Sequence, residues 1–217
     1  MTIRVHILDA GNAFGRRRGM IAAAIGRATR YVHERCALAD VDLVVQPMDF
    51  GTRQAPIDAF TMGPHNIHVG LERSSLSDDE LEPELVRTVV HELHHALRWR
   101  RVNRWTVGEA VVMEGLAILA DQGVAGPAEN LDRPMSDVHG ALEYLRAHQG
   151  EPLQDHRRWL YTSEPDQPGA AERVYATGRH LMQASLRRLH ESPWNAASRP
   201  GDELLAIGFR QLQWAAE

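Results

Sequence analysis

The 217-residue sequence predicts an α+β fold, a small N-terminal mixed sheet packed on a mainly helical body. Two patterns carry that expectation. Period-two alternation of apolar residues is confined to the first third of the chain, and three- and four-residue apolar spacing runs through most of the remainder. Composition agrees, because 43% apolar and 24% charged residues are ordinary globular values and the length suffices for a substantial core. The expected organisation is a single domain, 1–217, with a mainly sheet-containing lobe over 1–76 and a mainly helical lobe over 77–217.

Taken in order, Thr2 to Leu8 alternates Ile3, Val5 and Ile7 with polar neighbours and reads as a strand. Met20 to Leu38 has alanines and aliphatics at helical spacing. Val41 to Met48 is rich in β-branched residues and reads as a second strand. The Gly and Pro content of 51–64 suggests a loop, and Asn66 to Leu71 a short third strand. Ser77 and Glu80 have capping-box spacing and Pro83 suits a first helical turn, so a long helix is expected from there. Its apolar positions are Leu85, Val86, Val89, Val90, Leu93, Ala96 and Leu97, and the pattern fades in R-W-R-R-V-N-R. Gly108 to Asp121 reads as a second helix. The segments 135–149, 169–191 and 202–215 also read as helical, joined by loops such as S-E-P-D-Q-P-G.

Charge and cysteine usage narrow the class. A formal charge of −5 gives no support to nucleic-acid binding, and the short basic runs at 16–18 and 98–101 read as solvated faces. Cys36 is the single cysteine, which rules out an intramolecular disulfide and a Cys-rich zinc site and favours a reducing compartment. Neither a signal-peptide h-region nor a run of 18 apolar residues is present, so no membrane association is expected and the expected location is cytoplasmic.

The stretch V-V-H-E-L-H-H-A-L, residues 89–97, places ionisable groups inside an apolar helix, where Glu in particular is costly unless compensated. His91 and His95 are four apart, about 40° around a helix and one turn along it, so both imidazoles can reach one zinc ion. Glu92 is placed to act as general base toward a water activated by that ion without itself being a ligand. The four-residue pattern is short enough to arise by chance, so a further element is needed. Glu114 provides it: it lies in E-A-V-V-M-E-G-L-A-I-L-A-D among Val111, Val112, Leu116, Ile118 and Leu119, where a metal would compensate its charge. A pairing with an arginine of R-W-R-R-V-N-R is the alternative. Two histidines and one carboxylate leave a fourth tetrahedral position open, as in catalytic rather than structural zinc.

H-E-L-H-H followed by a helix containing E-G-L-A resembles the gluzincin branch of zinc metallopeptidases, most closely the predicted zinc-dependent protease family DUF2268, over roughly residues 60 to 190. The resemblance implies a zincin-like fold with Zn²⁺ as cofactor, His91, His95 and Glu114 as ligands, Glu92 as general base, and a peptide or protein as substrate. V-Y-A-T-G-R-H-L-M is similar to that family's Tyr-x-x-Gly segment, with Arg179 where an aromatic is expected, and it points to Tyr175. The developing oxyanion needs a second donor, for which Tyr175 is the first candidate and His139 the second; packing is the other role open to Tyr175. Zincins resemble one another in offering a strand edge to an extended peptide just before the zinc helix, here Asn66 to Leu71, unless that strand lies in the core.

Other ionisable residues have weaker claims. His94 flanks the pair and reads as a partly exposed, hydrogen-bonded histidine or a spare ligand. Glu109 is an alternative third ligand, but five residues turn about 140° around a helix, so it and Glu114 cannot easily face one ion. Asp121 is either a carboxylate orienting a ligand histidine or a solvated charge at a helix end. His65 and His68 read as strand or loop histidines without metal. The function expected is zinc-dependent hydrolysis of peptide bonds. A zinc-binding or regulatory protein on the same fold is the alternative, and the intact Glu92 favours the enzyme, since zinc binding alone does not require it.

Overall fold

The structure, a computed structural model, describes residues 2–38, 40–48, 56–72, 77–125, 138–156 and 170–214. It is α+β, and the chain divides into two compact units, Met1–Arg100 with Asp121–Gly126, and Arg101–Ala120 with Pro127–Glu217.

The first unit is built on a four-stranded sheet in the order β1-β2-β4-β3, from β1 (Ile3–Ile7), β2 (Val41–Met48), β3 (Ile57–Gly63) and β4 (Asn66–Glu72). β1 pairs parallel with β2, β2 parallel with β4, and β3 antiparallel with β4, so the sheet is mixed. α1 (Arg18–His33) makes the crossover from β1 to β2 that a parallel pair requires. α2 (Asp78–Trp99) packs beside α1 and against β3 and β4. Alternation sets which side chains meet these helices. Leu43, Val45, Ile67, Val69 and Leu71 are fully buried on one face, together with Ile21, Ile25 and Val32 of α1 and Leu85, Val89 and Leu93 of α2. The opposite face carries Arg4, His6 and Asp42, where the Arg4 guanidinium and the His6 ring hold the exposed Asp42 carboxyl down to about 2.

One expectation about the sheet is overturned, and one open alternative is decided in favour of a core strand. Residues 57–63, read as part of a loop, form β3, whose backbone pairs with β4 from Ile57 opposite Leu71 to Gly63 opposite Asn66. Residues 66–71 do not present an edge, because β4 is hydrogen-bonded on both sides, to β2 and to β3. Among the described strands the edges are β1 and β3.

The second unit is helical. It contains α3 (Val107–Ala125, whose last turn from Asp121 is counted with the first unit), α4 (Val138–His148), α5 (Ala170–Leu189), the single turn α6 (Pro193–Ala196), which the sequence pattern did not foresee, and α7 (Gly201–Trp214). Its core gathers Val107, Val111, Val112 and Leu116 of α3, Leu145 of α4, Val174, Leu181 and Met182 of α5, and Leu204, Leu205 and Phe209 of α7. α3 and α5 cross with their backbones in contact, since a Cβ built on Gly115 would run into the Gly178 carbonyl and lie 2.8 Å from Met182 Cγ. Glycine is required there for closeness of approach rather than for backbone freedom. Ser185 Oγ lies 2.7 Å from the Leu204 carbonyl and 2.9 Å from that of Leu181, linking α5 to α7 in a fully buried position.

Candidate metal centre

The helix that carries H-E-L-H-H is strongly specified by its own sequence. Ser77 Oγ accepts the Glu80 backbone N–H and the Glu80 carboxylate accepts the Ser77 backbone N–H, a complete capping box, with Asp78, Asp79 and Glu80 favourably placed in the first turn. From that start the apolar residues fall on the side facing α1 and the sheet. His91, Glu92 and His95 follow in the fourth and fifth turns, next to β3.

The structure brings these three side chains together. One donor atom from each of His91, Glu92 and His95 lies within 4.8 Å of the others, and the two imidazoles meet edge to face with centroids 4.5 Å apart. His91 is fixed from behind by Asp121, in the last turns of α3, whose Oδ2 is 2.9 Å from His91 Nδ1. An ionised carboxylate only accepts, so Nδ1 must carry the ring proton and Nε2 keeps the lone pair that a metal needs. Asp121 is 3% exposed and α3 continues to Ala125, so Asp121 is not a solvated charge at a helix end. Burying it with the imidazole N–H as partner avoids the several kcal/mol that an unpaired carboxylate would cost. Glu92 is also buried, at 6% exposure, and its Oε2 lies 2.7 Å from the Thr61 hydroxyl on β3. The donor set, imidazole nitrogens beside a carboxylate in a largely dehydrated setting, fits zinc chemistry.

Other residues singled out in the sequence have different surroundings. His94 is completely buried, not partly exposed, because α2 is covered both by α1 and by the sheet and its buried arc is wider than a single stripe. Glu109 is no longer a candidate ligand: its Oε1 accepts the Gly201 backbone N–H at 3.1 Å and so caps α7. His65 sits in the β3–β4 turn with Nδ1 2.7 Å from the Asp40 carbonyl, and His68 of β4 stacks on Phe60. Glu114 (buried, on α3) and Tyr175 (half-buried, on α5) both lie in the second unit. The side chain of His139 lies outside the described residues. Thr61 was missed altogether, since nothing in 51–64 marks a residue that reaches Glu92.

Comparison with family models agrees with this chemistry. A model described as predicted Zn-dependent protease (DUF2268) matches residues 21–206, which includes the sheet from β2 onward, the cluster of His91, Glu92 and His95, and most of the helical unit. The chain belongs to this DUF2268 family. Searches of curated proteins and of solved structures found no match. In DUF2268 terms, the matched span contains every candidate site residue from Thr61 to Tyr175. No helix among the described residues of this DUF2268 chain is long and apolar enough to cross a membrane.

Proposed function

We propose that this DUF2268 protein is a zinc peptidase of the gluzincin type on a zincin-like fold, with His91, His95 and Glu114 holding the ion and Glu92 serving as general base. The observation that carries the reading is the cluster of His91, Glu92 and His95 with His91 Nδ1 committed to Asp121. A histidine buried only for packing does not need its ring oriented by a carboxylate, whereas a ligand does. Glu114 is proposed as the third ligand on the family resemblance of H-E-L-H-H followed by E-G-L-A, and its buried place on α3 is compatible with that role.

Zinc, when bound, supplies Lewis acidity that polarises a peptide carbonyl and makes water acidic near neutral pH. The chain supplies the rest. Glu92 takes a proton from the attacking water as the new C–O bond forms, and returns it to the amide nitrogen as the C–N bond breaks. Asp121 keeps His91 in one tautomer and stabilises its ring as charge shifts. Tyr175 is the donor proposed for the developing oxyanion. Its position on α5 one turn before Gly178, where α5 touches α3 next to Glu114, supports this assignment. An extended substrate has β3 rather than β4 as the edge to which it would add.

Metal removal tests the reading directly. Dialysis against a zinc chelator is expected to abolish hydrolysis of susceptible peptides, and stoichiometric Zn²⁺ to restore it; peptide hydrolysis that survives complete metal removal would contradict the proposal.

A further inference from the structure

We infer that Thr61 is a positioning residue for Glu92, holding the carboxylate in a fixed orientation from the edge strand of the sheet. The inference rests on the proposed role of Glu92 as general base and adds a residue that neither the H-E-x-x-H pattern nor the family match assigns.

The geometry is specific to this strand. Thr61 pairs with Ile67 of β4, so it lies on the sheet face that α2 covers, while its neighbour Phe60, opposite His68, belongs to the other face. The register of β3 shifts between Thr61 and Gly63, and irregularities of this kind re-aim side chains next to functional sites. Thr61 Oγ1 is 2.7 Å from Glu92 Oε2 and 3.0 Å from the Glu92 backbone carbonyl, so one hydroxyl meets the two ends of the same residue. A hydroxyl has a single proton, and the shorter, charge-assisted contact to the carboxylate takes the larger share of it. Glu92 Oε1 accepts no hydrogen bond among the described residues, which leaves it as the oxygen open to a substrate water's proton. A glutamate side chain turns about three torsions; tying Oε2 to a strand that is hydrogen-bonded to β4 removes that freedom before substrate arrives.

Phe60 and Met62, the flanking residues, are exposed, yet Thr61 hydrogen-bonds Glu92 of α2. Replacing its hydroxyl by a methyl keeps the shape and the strand propensity while removing only the donor. Thr61→Val is therefore the informative variant, and Thr61→Ser, which restores the donor, is its control. Thr61→Ala serves the same test should valine disturb the packing against α2.

The expected result is a fall in kcat of about 10- to 100-fold in Thr61→Val with KM and zinc content unchanged, and recovery in Thr61→Ser. A second readout is independent of metal and activity. The infrared carboxylate band of Glu92, assigned in metal-free protein by difference against Glu92→Gln, should shift in Thr61→Val and return in Thr61→Ser. Wild-type kcat in Thr61→Val overturns the inference, and so does an unshifted band, or loss of zinc in Thr61→Val, which would make Thr61 a structural residue. Wild-type protein that hydrolyses no peptide would instead defeat the peptidase reading, and the infrared band then decides the Thr61–Glu92 contact by itself.

Discussion

Gly115→Ala is expected to destabilise the helical unit by about 2 kcal/mol or more. Two effects oppose each other. Alanine is the better helix former by about 1 kcal/mol, so a glycine in the middle of α3 is a loss unless something else needs it. The added Cβ, however, would meet the carbonyl carbon and oxygen of Gly178, and Met182 Cγ at 2.8 Å. Met182 can adopt another rotamer; a backbone carbonyl in α5 cannot. The helices must separate, and separation loosens Val111, Val112, Leu116, Leu181 and Met182, all packed at the same crossing and nearly or fully buried. Overpacking against backbone therefore wins over propensity. For a chain of this length the loss corresponds to roughly 5 °C or more in melting temperature. Gly26→Ala supplies the contrast, because a Cβ at Gly26 in α1 meets nothing within 4 Å and the same substitution should leave stability equal or higher. A Gly115→Ala protein that melts at or above the wild type would show that the crossing is not close.

Glu92→Gln is expected to have the largest effect on activity, a fall of about 10²- to 10⁴-fold in peptide hydrolysis with little change in stability. Glutamine keeps the shape of the side chain and retains an oxygen that can accept from the Thr61 hydroxyl, so the packing around α2 has no reason to change. What it loses is the capacity to take up a proton. The substitution also separates two roles, because Glu92 lies within 4.8 Å of both histidine donors and its carboxylate is sterically able to be a ligand. A base that is not a ligand leaves zinc in place in Glu92→Gln; a ligand does not. Unchanged hydrolysis in this variant would remove Glu92 from the chemistry.

The helical part of the fold was legible because each signal was local. Ser77, Glu80 and Pro83 marked the start of α2 within seven residues, and the spacing of Leu85, Val89, Leu93 and Ala96 marked its face. β3 was hidden for a physical reason. Of its inward positions Ile57, Ala59 and Thr61 only the first is a large apolar residue, whereas Phe60 and Met62 are 45% and 60% exposed, which blurs the usual alternation. β4 looked like an edge or a core strand with equal justice, since alternation along one strand carries no record of how many neighbours it has. The same holds at the site. Two histidines at one-turn spacing could be read directly, but the oxygen that orients His91 lies 30 residues further along the chain and the hydroxyl that holds Glu92 lies 31 residues before it. His94 was misplaced because its burial depends on two partners, α1 and the sheet, neither of which its own helix reveals. Glu109 could be separated from Glu114 by rotation about the helix, yet its partner Gly201 is 92 residues away.

Zinc content of the purified protein tests the central claim most directly. About one zinc per chain is expected in the wild type and in Glu92→Gln, with loss of the metal in His91→Ala, His95→Ala and Glu114→Ala, each checked for a native circular dichroism spectrum. Folded wild-type protein that takes up no zinc, or a Glu114→Ala variant that holds zinc as tightly as the wild type, would contradict the account.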